Sequence, residues 1–201
     1  GLETTLAQIA HQILGISTEK IKLVHGDTAF TPYSTGTWGS RCIVMAGGAV
    51  ATACKQLAER VMKIGARLLQ VEPNMVHLEN GTVVGDIGRI TIHDVALAWY
   101  QKPFDLPKDV DPGGLEVTAG YKPERDSGTF SYATHAVSVA VDPELGEVEI
   151  LDYVVVEDGG VLVNPMIVDG QIYGGTAQGI GTGLYEEMPF DADGQPLGST
   201  L

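Results

Sequence analysis

From Ser40 to about Leu69, apolar residues recur at threes and fours: Ile43, Ala46 or Gly47, Val50, Cys54, Leu57, Val61, Ile64 and Leu68. That period draws one apolar stripe along a long α-helix. A stripe of this length has to be covered, so the rest of the chain must build a core against it. Gly47 and Gly48 stand inside the stripe, where each costs about 1 kcal/mol relative to Ala. Such a cost is offset when another element comes close to the helix backbone. Ser40 is a suitable N-cap for this helix.

Shorter elements follow from the same reasoning. Leu6, Ile9, Ala10, Ile13 and Leu14 share a face over Glu3–Leu14, and Gly15 fits a C-cap. Ile21 to His25 alternates like a short strand. Val76-His77-Leu78 and Thr82-Val83-Val84 flank Asn80-Gly81, a strong hairpin signal. Ile92 to Tyr100 reads as a short helix, and the Pro-, Asp- and Gly-rich stretch from Lys102 to Gly114 as a surface loop. Val117–Tyr121, Ala136–Asp142 and Glu147–Glu157 read as strands, the last two joined by a turn at Asp142–Gly146. Asn164-Pro165 starts a helix that runs toward Glu187, and Asp191–Gly194 is a turn. Strands and helices do not alternate in βαβ order, so an α+β fold is expected, a mixed sheet with long packing helices, in lobes of roughly 1–115 and 116–201. The absence of an initiator Met at Gly1 and the abrupt run to Leu201 read as a piece of a longer protein.

Composition removes several function classes. The net charge of −14, from 12 Lys and Arg against 26 Asp and Glu, offers no basic face for nucleic acid. Cys42 and Cys54 are the 2 cysteines, and they form neither a CxxC pair nor a complete zinc or iron–sulfur ligand set. No apolar run has the length of a membrane span, and no signal-peptide pattern opens the chain, so a cytoplasmic location is expected. His11, His25, His77, His93 and His135 are scattered, and each fits a structural role better than metal ligation.

Two segments could carry chemistry. The first runs Gly36-Thr37-Trp38-Gly39-Ser40-Arg41-Cys42, where a glycine-containing loop enters the long helix. The first-turn N–H groups of a helix lack intrahelical partners and lie at its positive end, which suits an anion. Taken alone, simple helix capping is the plainer account of a Gly-Ser pair. The second is Gly174-Gly175-Thr176-Ala177-Gln178-Gly179-Ile180-Gly181. It lacks the Lys of a phosphate-binding Walker loop, and Gly179-x-Gly181 meets Leu184 where a dinucleotide fingerprint needs Gly. Glycines four apart leave a smooth surface for a packed helix or a flat ligand, and Gln171 close by has an amide to donate.

The order of these segments resembles that of the large, molybdopterin-binding subunits of the molybdenum hydroxylases: xanthine dehydrogenase, aldehyde oxidase and aerobic carbon monoxide dehydrogenase. Gly1 to Ala10 is similar to the segment that follows a Gly-Gln-Gly turn there. Gly26-Asp27-Thr28 with Gly36–Arg41 is similar to a second cofactor segment. Asp158-Gly159-Gly160 through Asn164-Pro165, then Gly170-Gln171 to Gly181 and Tyr185-Glu186-Glu187, resembles a third. The Gly-Ser-Arg form is nearest to the carbon monoxide dehydrogenase-like branch, whose substrates are varied.

The resemblance implies part of a molybdopterin-binding domain, with a cofactor that in bacterial members commonly carries a cytosine dinucleotide. Carried across, it makes Gly1, Gly39, Ser40, Arg41, Cys42 and Gln171 cofactor-binding residues. It implies no protein ligand to the metal. The family hydroxylates an aldehyde, N-heterocycle or similar small substrate with water as oxygen source, using a glutamate base that is expected beyond Leu201. No catalytic residue is therefore assigned here, and Glu186 and Glu187 are read as structural. Electrons leave through 2Fe–2S clusters to FAD on partner subunits or domains, in an assembly expected to be a dimer of heterotrimers. A piece cut in this way is expected to be inactive alone. The competing reading is a non-catalytic assembly subunit that keeps the fold without the base.

Overall fold

The structure is a computed structural model that describes every residue except 35, 111–113, 125–129 and 199–201. It contains two compact units, Gly1–Thr129 and Phe130–Leu201. The division falls beyond residue 115 because the chain up to Tyr121 is tied to the first unit. Leu115 packs on that unit's core, Arg60 donates to the carbonyls of Gly114 and Glu116, and Tyr121 lies on the Gly48 backbone.

The first unit is built on α1 (Leu2–Leu14) and α2 (Cys42–Leu69). α1 buries Leu6, Ala7, Ala10 and Leu14 and ends at Gly15, whose φ of 67° lets its N–H reach the His11 carbonyl at 2.7 Å. α2 is followed by β1 (Val76–Glu79), β2 (Thr82–Gly85) and β3 (Gly88–Thr91), an antiparallel sheet, and by α3 (Ile92–Gln101). Val61 and Ile64 of α2, Val83 of β2 and Val95 of α3 form the fully buried centre. The α2 glycines do what their cost requires. Ile9 of α1 fits over Gly47, the Tyr121 ring over Gly48, and Val83 over Gly65. The β1–β2 turn has φ of 48° at Asn80 and 69° at Gly81, the left-handed pair that matches strand twist.

These contacts also fix how α1 and α2 run. Ile9 meets Gly47, while Gly15 meets the Asn80-Gly81 turn of the hairpin whose Val83 sits on Gly65. Moving forward along α1 therefore moves forward along α2. The helices are parallel, and their N-terminal ends lie at the same end of this unit.

The second unit contains β4 (Tyr132–Val141), β5 (Val148–Asp158), α4 (Pro165–Ile180) and a π-turn at Gly181–Tyr185. β4 and β5 pair antiparallel with a bulge between Ser138 and Val139. Asp142 shapes their connection by accepting from the N–H groups of Glu144 and Leu145. Asn164 Oδ1 caps α4 by accepting from the Ile167 N–H at 3.2 Å. None of the described residues in this unit is buried. No helix among the described residues is long and apolar enough to cross a membrane.

The α+β class is as expected, with its strands in two small antiparallel sheets among the described residues. Several elements differ from their sequence expectations. Ile21–His25 and Val117–Tyr121 are not strands, because their alternation finds no strand partner among the described residues. β3 was not anticipated; Ile90 is its single large apolar residue. α2 starts at Cys42 rather than Ser40, and α4 gives way to the π-turn before Glu187. The stretch after Lys102 is more than a surface loop, since Leu106 and Val110 pack on the core; residues 111–113 of it lie outside the described residues. So do residues 199–201 of the C-terminal run.

Candidate functional site

The entry to α2 has an unusual backbone. Gly36, Gly39 and Ser40 all have positive φ, at 85°, 58° and 53°. Glycine accepts this region freely, whereas serine pays for it. Ser40 is therefore not the helix cap expected from sequence: a left-handed residue cannot take the extended geometry of an N-cap. Arg41 holds that position, and no side-chain hydrogen bond caps the helix among the described residues.

Three contacts brace the loop. The Arg41 guanidinium lies over the Trp38 ring, 4.0 Å from its centroid. Its Nη2 donates to the Gly36 carbonyl at 3.2 Å. The Cys42 thiol donates to Thr37 Oγ1 at 3.0 Å. The positive end of a 28-residue helix thus carries an arginine rather than the usual acidic or hydroxyl residue. Cation and helix dipole repel there, and a bound anion would relieve both. Among the described residues nothing lies within 4 Å of a Cβ built on Gly39, so they leave the backbone at this turn open to an approaching group.

Gly1 is the N-cap of α1, also without a side-chain cap among the described residues; its carbonyl accepts from the Thr5 N–H and hydroxyl. Because α1 and α2 run parallel, Gly1 and Gly39–Cys42 come to the same end of the first unit. Two helix N-termini at one end add their positive potentials. In sequence the two segments stand apart, and that pairing was missed. The signal lay in Gly47 and Gly48, which mark where another element crosses α2 but not its direction.

Gln171 belongs to α4 in the second unit and is exposed. Seven residues make about two helical turns, so Gln178 lies on the same face as Gln171. Gly170 and Gly174 flank that face on one side, and Gly175 and Gly179 on the other. The glycines therefore form two rows beside the glutamines rather than one smooth surface. A Cβ on any of these four would meet nothing within 4 Å among the described residues. Thr176 Oγ1 is buried with no hydrogen-bond partner among them. Gln178 was legible only through helical arithmetic and was not singled out from sequence.

At the end of α4, Glu186 folds back. Its N–H donates to the Gly181 carbonyl at 2.8 Å, and its Oε1 would lie 2.7 Å from a Cβ on Gly181. Gly181 thus makes room for the carboxylate. His11 Nδ1 pairs with the Ile16 carbonyl at 2.8 Å, and His135 Nδ1 with the Tyr153 hydroxyl at 3.1 Å. Among the described residues, no three His, Cys, Asp or Glu side chains gather as a metal site. Among the described residues, two ionisable groups shift clearly. Burial pushes the Cys54 thiol up, and the Thr91 hydroxyl holds the Asp94 carboxyl down. Both belong to helix packing and capping rather than to the loop before α2.

Comparison with known proteins supplies what geometry alone does not. A family described as molybdopterin cofactor-binding domain matches residues 1–201. The nicotine 6-hydroxylase large subunit of Paenarthrobacter nicotinovorans is 40% identical over 197 residues, 96% of this chain and 24% of that protein. The carbon monoxide dehydrogenase large chain of Hydrogenophaga pseudoflava is 36% identical over 204 residues, 100% of this chain and 25% of that protein. The crystal structure of quinoline 2-oxidoreductase from Pseudomonas putida 86 superposes with a TM-score of 0.90 at 34% identity, covering 100% of this chain and 25% of that one. The chain spans about a quarter of the length of the relatives it matches.

Proposed function

Because the chain belongs to the molybdopterin cofactor-binding domain family, we propose that it is part of the large subunit of a hydroxylating oxidoreductase and supplies two stretches of that subunit's cofactor cradle. The observation that carries this reading is the N-terminus of α2, which has no side-chain cap among the described residues and an arginine stacked in place at its start. The groups it presents can all donate hydrogen bonds: backbone N–H groups, a hydroxyl and a guanidinium. Such a set suits the phosphate-bearing part of a molybdopterin, and equally the longer anionic tail of its cytosine dinucleotide form. In this reading Gly39, Ser40, Arg41 and Cys42 hold the phosphate side, with Gly1 at the neighbouring helix end. Gln171 donates its amide from between the glycine rows of α4.

When bound, the molybdenum cofactor supplies the redox centre at which an aldehyde, N-heterocycle or similar small substrate is hydroxylated with oxygen from water. The residues of this chain bind and orient the group. The base is proposed to lie outside residues 1–201, so the chain alone is inactive. The parent works in the cytoplasm with FAD and 2Fe–2S partners, as a dimer of heterotrimers.

The experiment is cofactor content in the purified full-length protein. Wild type is expected to contain molybdenum and pterin in equal amounts. Arg41→Ala removes a charge-assisted contact, which corresponds to roughly ten- to hundredfold weaker retention. Intact wild-type protein without molybdenum would overturn the reading.

A further inference from the structure

We propose that Trp38 is a positioning residue for cofactor binding, acting through Arg41 by holding its guanidinium over the indole face. The inference rests on the reading above, in which Arg41 meets the phosphate side of the cofactor. Trp38 is 62% exposed, so this large ring does not fill the core of the first unit. The guanidinium lies 4.0 Å over its centroid. The backbone between the two residues is bent to allow this. Gly39 and Ser40, at φ of 58° and 53°, turn the chain back so that Arg41 returns over the residue three positions before it. A left-handed serine is an uncommon conformation, and here it produces the stack. Gly36, itself at φ 85°, directs its carbonyl to Nη2 and fixes the guanidinium in a second direction.

The choice of an aromatic holder has a chemical consequence. A carboxylate that orients an arginine also cancels its charge and occupies its donors. Stacking holds a guanidinium by its face, uses none of its N–H donors and leaves its charge intact. That is what a phosphate-binding arginine requires, above all one already set against the positive end of α2. Trp38 thus supplies orientation at a place where the helix dipole would push the cation away.

The test uses the full-length holoprotein and measures molybdenum and pterin content and the rate of cofactor release in mild urea. Trp38→Leu keeps apolar bulk without a π face, and Trp38→Phe keeps a smaller π face. Trp38→Leu is expected to release cofactor about two- to fivefold faster, the range of an exposed cation–π contact. Trp38→Phe should recover most of the wild-type rate. In an Arg41→Ala background, Trp38→Leu should add no further effect. If Trp38→Leu behaves like Trp38→Phe, or its effect persists in full without Arg41, Trp38 serves loop packing and the inference is overturned. If Arg41→Ala itself retains cofactor like wild type, the reading of the site fails first. The two failures are therefore distinguishable.

Discussion

Gly65 tests the packing that positions the whole first unit. A Cβ built there would lie 2.7 Å from both Val83 methyl carbons and 2.8 Å from the Val83 Cβ. Val83 is 0% exposed and has no room to retreat. Gly65→Ala gains about 1 kcal/mol of helix propensity and incurs an overpacking cost of about 1–3 kcal/mol. The net expectation is a loss of about 1 kcal/mol. Val83→Ala removes two buried methyls at about 0.8 kcal/mol each, plus a cavity term, for a loss of about 2–3 kcal/mol. In the double variant the methyl introduced on the helix occupies space that the valine has left. The Cβ of residue 83 still lies 2.8 Å from that methyl, so Gly65→Ala should cost less in the Val83→Ala variant than in the parent, with the two losses less than additive. The measurement is urea unfolding followed by Trp99 fluorescence in a Trp38→Phe background, since Trp99 packs against the core cluster. Stabilisation by Gly65→Ala in the parent, or additive losses in the double variant, would refute the close approach of β2 to α2.

Gly15→Ala should be more damaging, because a Cβ there collides with the Asn80-Gly81 backbone and φ is 67°; a melting temperature unchanged from the parent would contradict it. Asp94 gives a pH-dependent test. Its carboxylate is held below the usual range first by the Thr91 hydroxyl, then by the Thr91 N–H and by His93. A depressed carboxylate contributes stability above its unfolded value of about 3.9 and loses it as pH falls through the lower folded value. Thermal melts should therefore show Asp94→Asn less stable than wild type at neutral pH, with the gap closing in acid. A gap that stays constant from neutral pH into strong acid would count against the capping box.

The parts of the fold that could be read from sequence are those decided by near neighbours. Gly15 ends α1, Asn80-Gly81 turns the hairpin, and Asn164-Pro165 opens α4, each through a local conformational preference. The misread parts depended on distant partners. Ile21–His25 alternates as a strand would, but a strand exists only when another pairs with it. Ser40 shows a different limit at the site, set by its own neighbours. A Gly-Ser pair before a helix suits a cap on local preference, yet the serine is left-handed because Arg41 returns to Trp38. Which residues lie in the loop was visible in the sequence; how they are held was not.

The glycines divide the molecule in a way that bears on the cofactor reading. Gly47, Gly48 and Gly65 in α2 are each met by a side chain of the same unit, so their helix cost is offset within it. Gly170, Gly174, Gly175 and Gly179 in α4 carry the same cost of about 1 kcal/mol each. Among the described residues nothing approaches them. β4 and β5 present the same contrast, with Val137, Val139, Val154 and Val156 between 44% and 66% exposed. Strands that are apolar on both faces are ordinarily covered on both, and a lone two-stranded sheet is marginal in water. The first unit therefore closes its own core, whereas the second offers surfaces whose cost is unmatched within it. Under the proposed function that asymmetry has a cause. The first unit is a support for a loop held by its own contacts. In that reading the second contributes a helix whose bared backbone and two same-face glutamines gain stabilisation from what they bind.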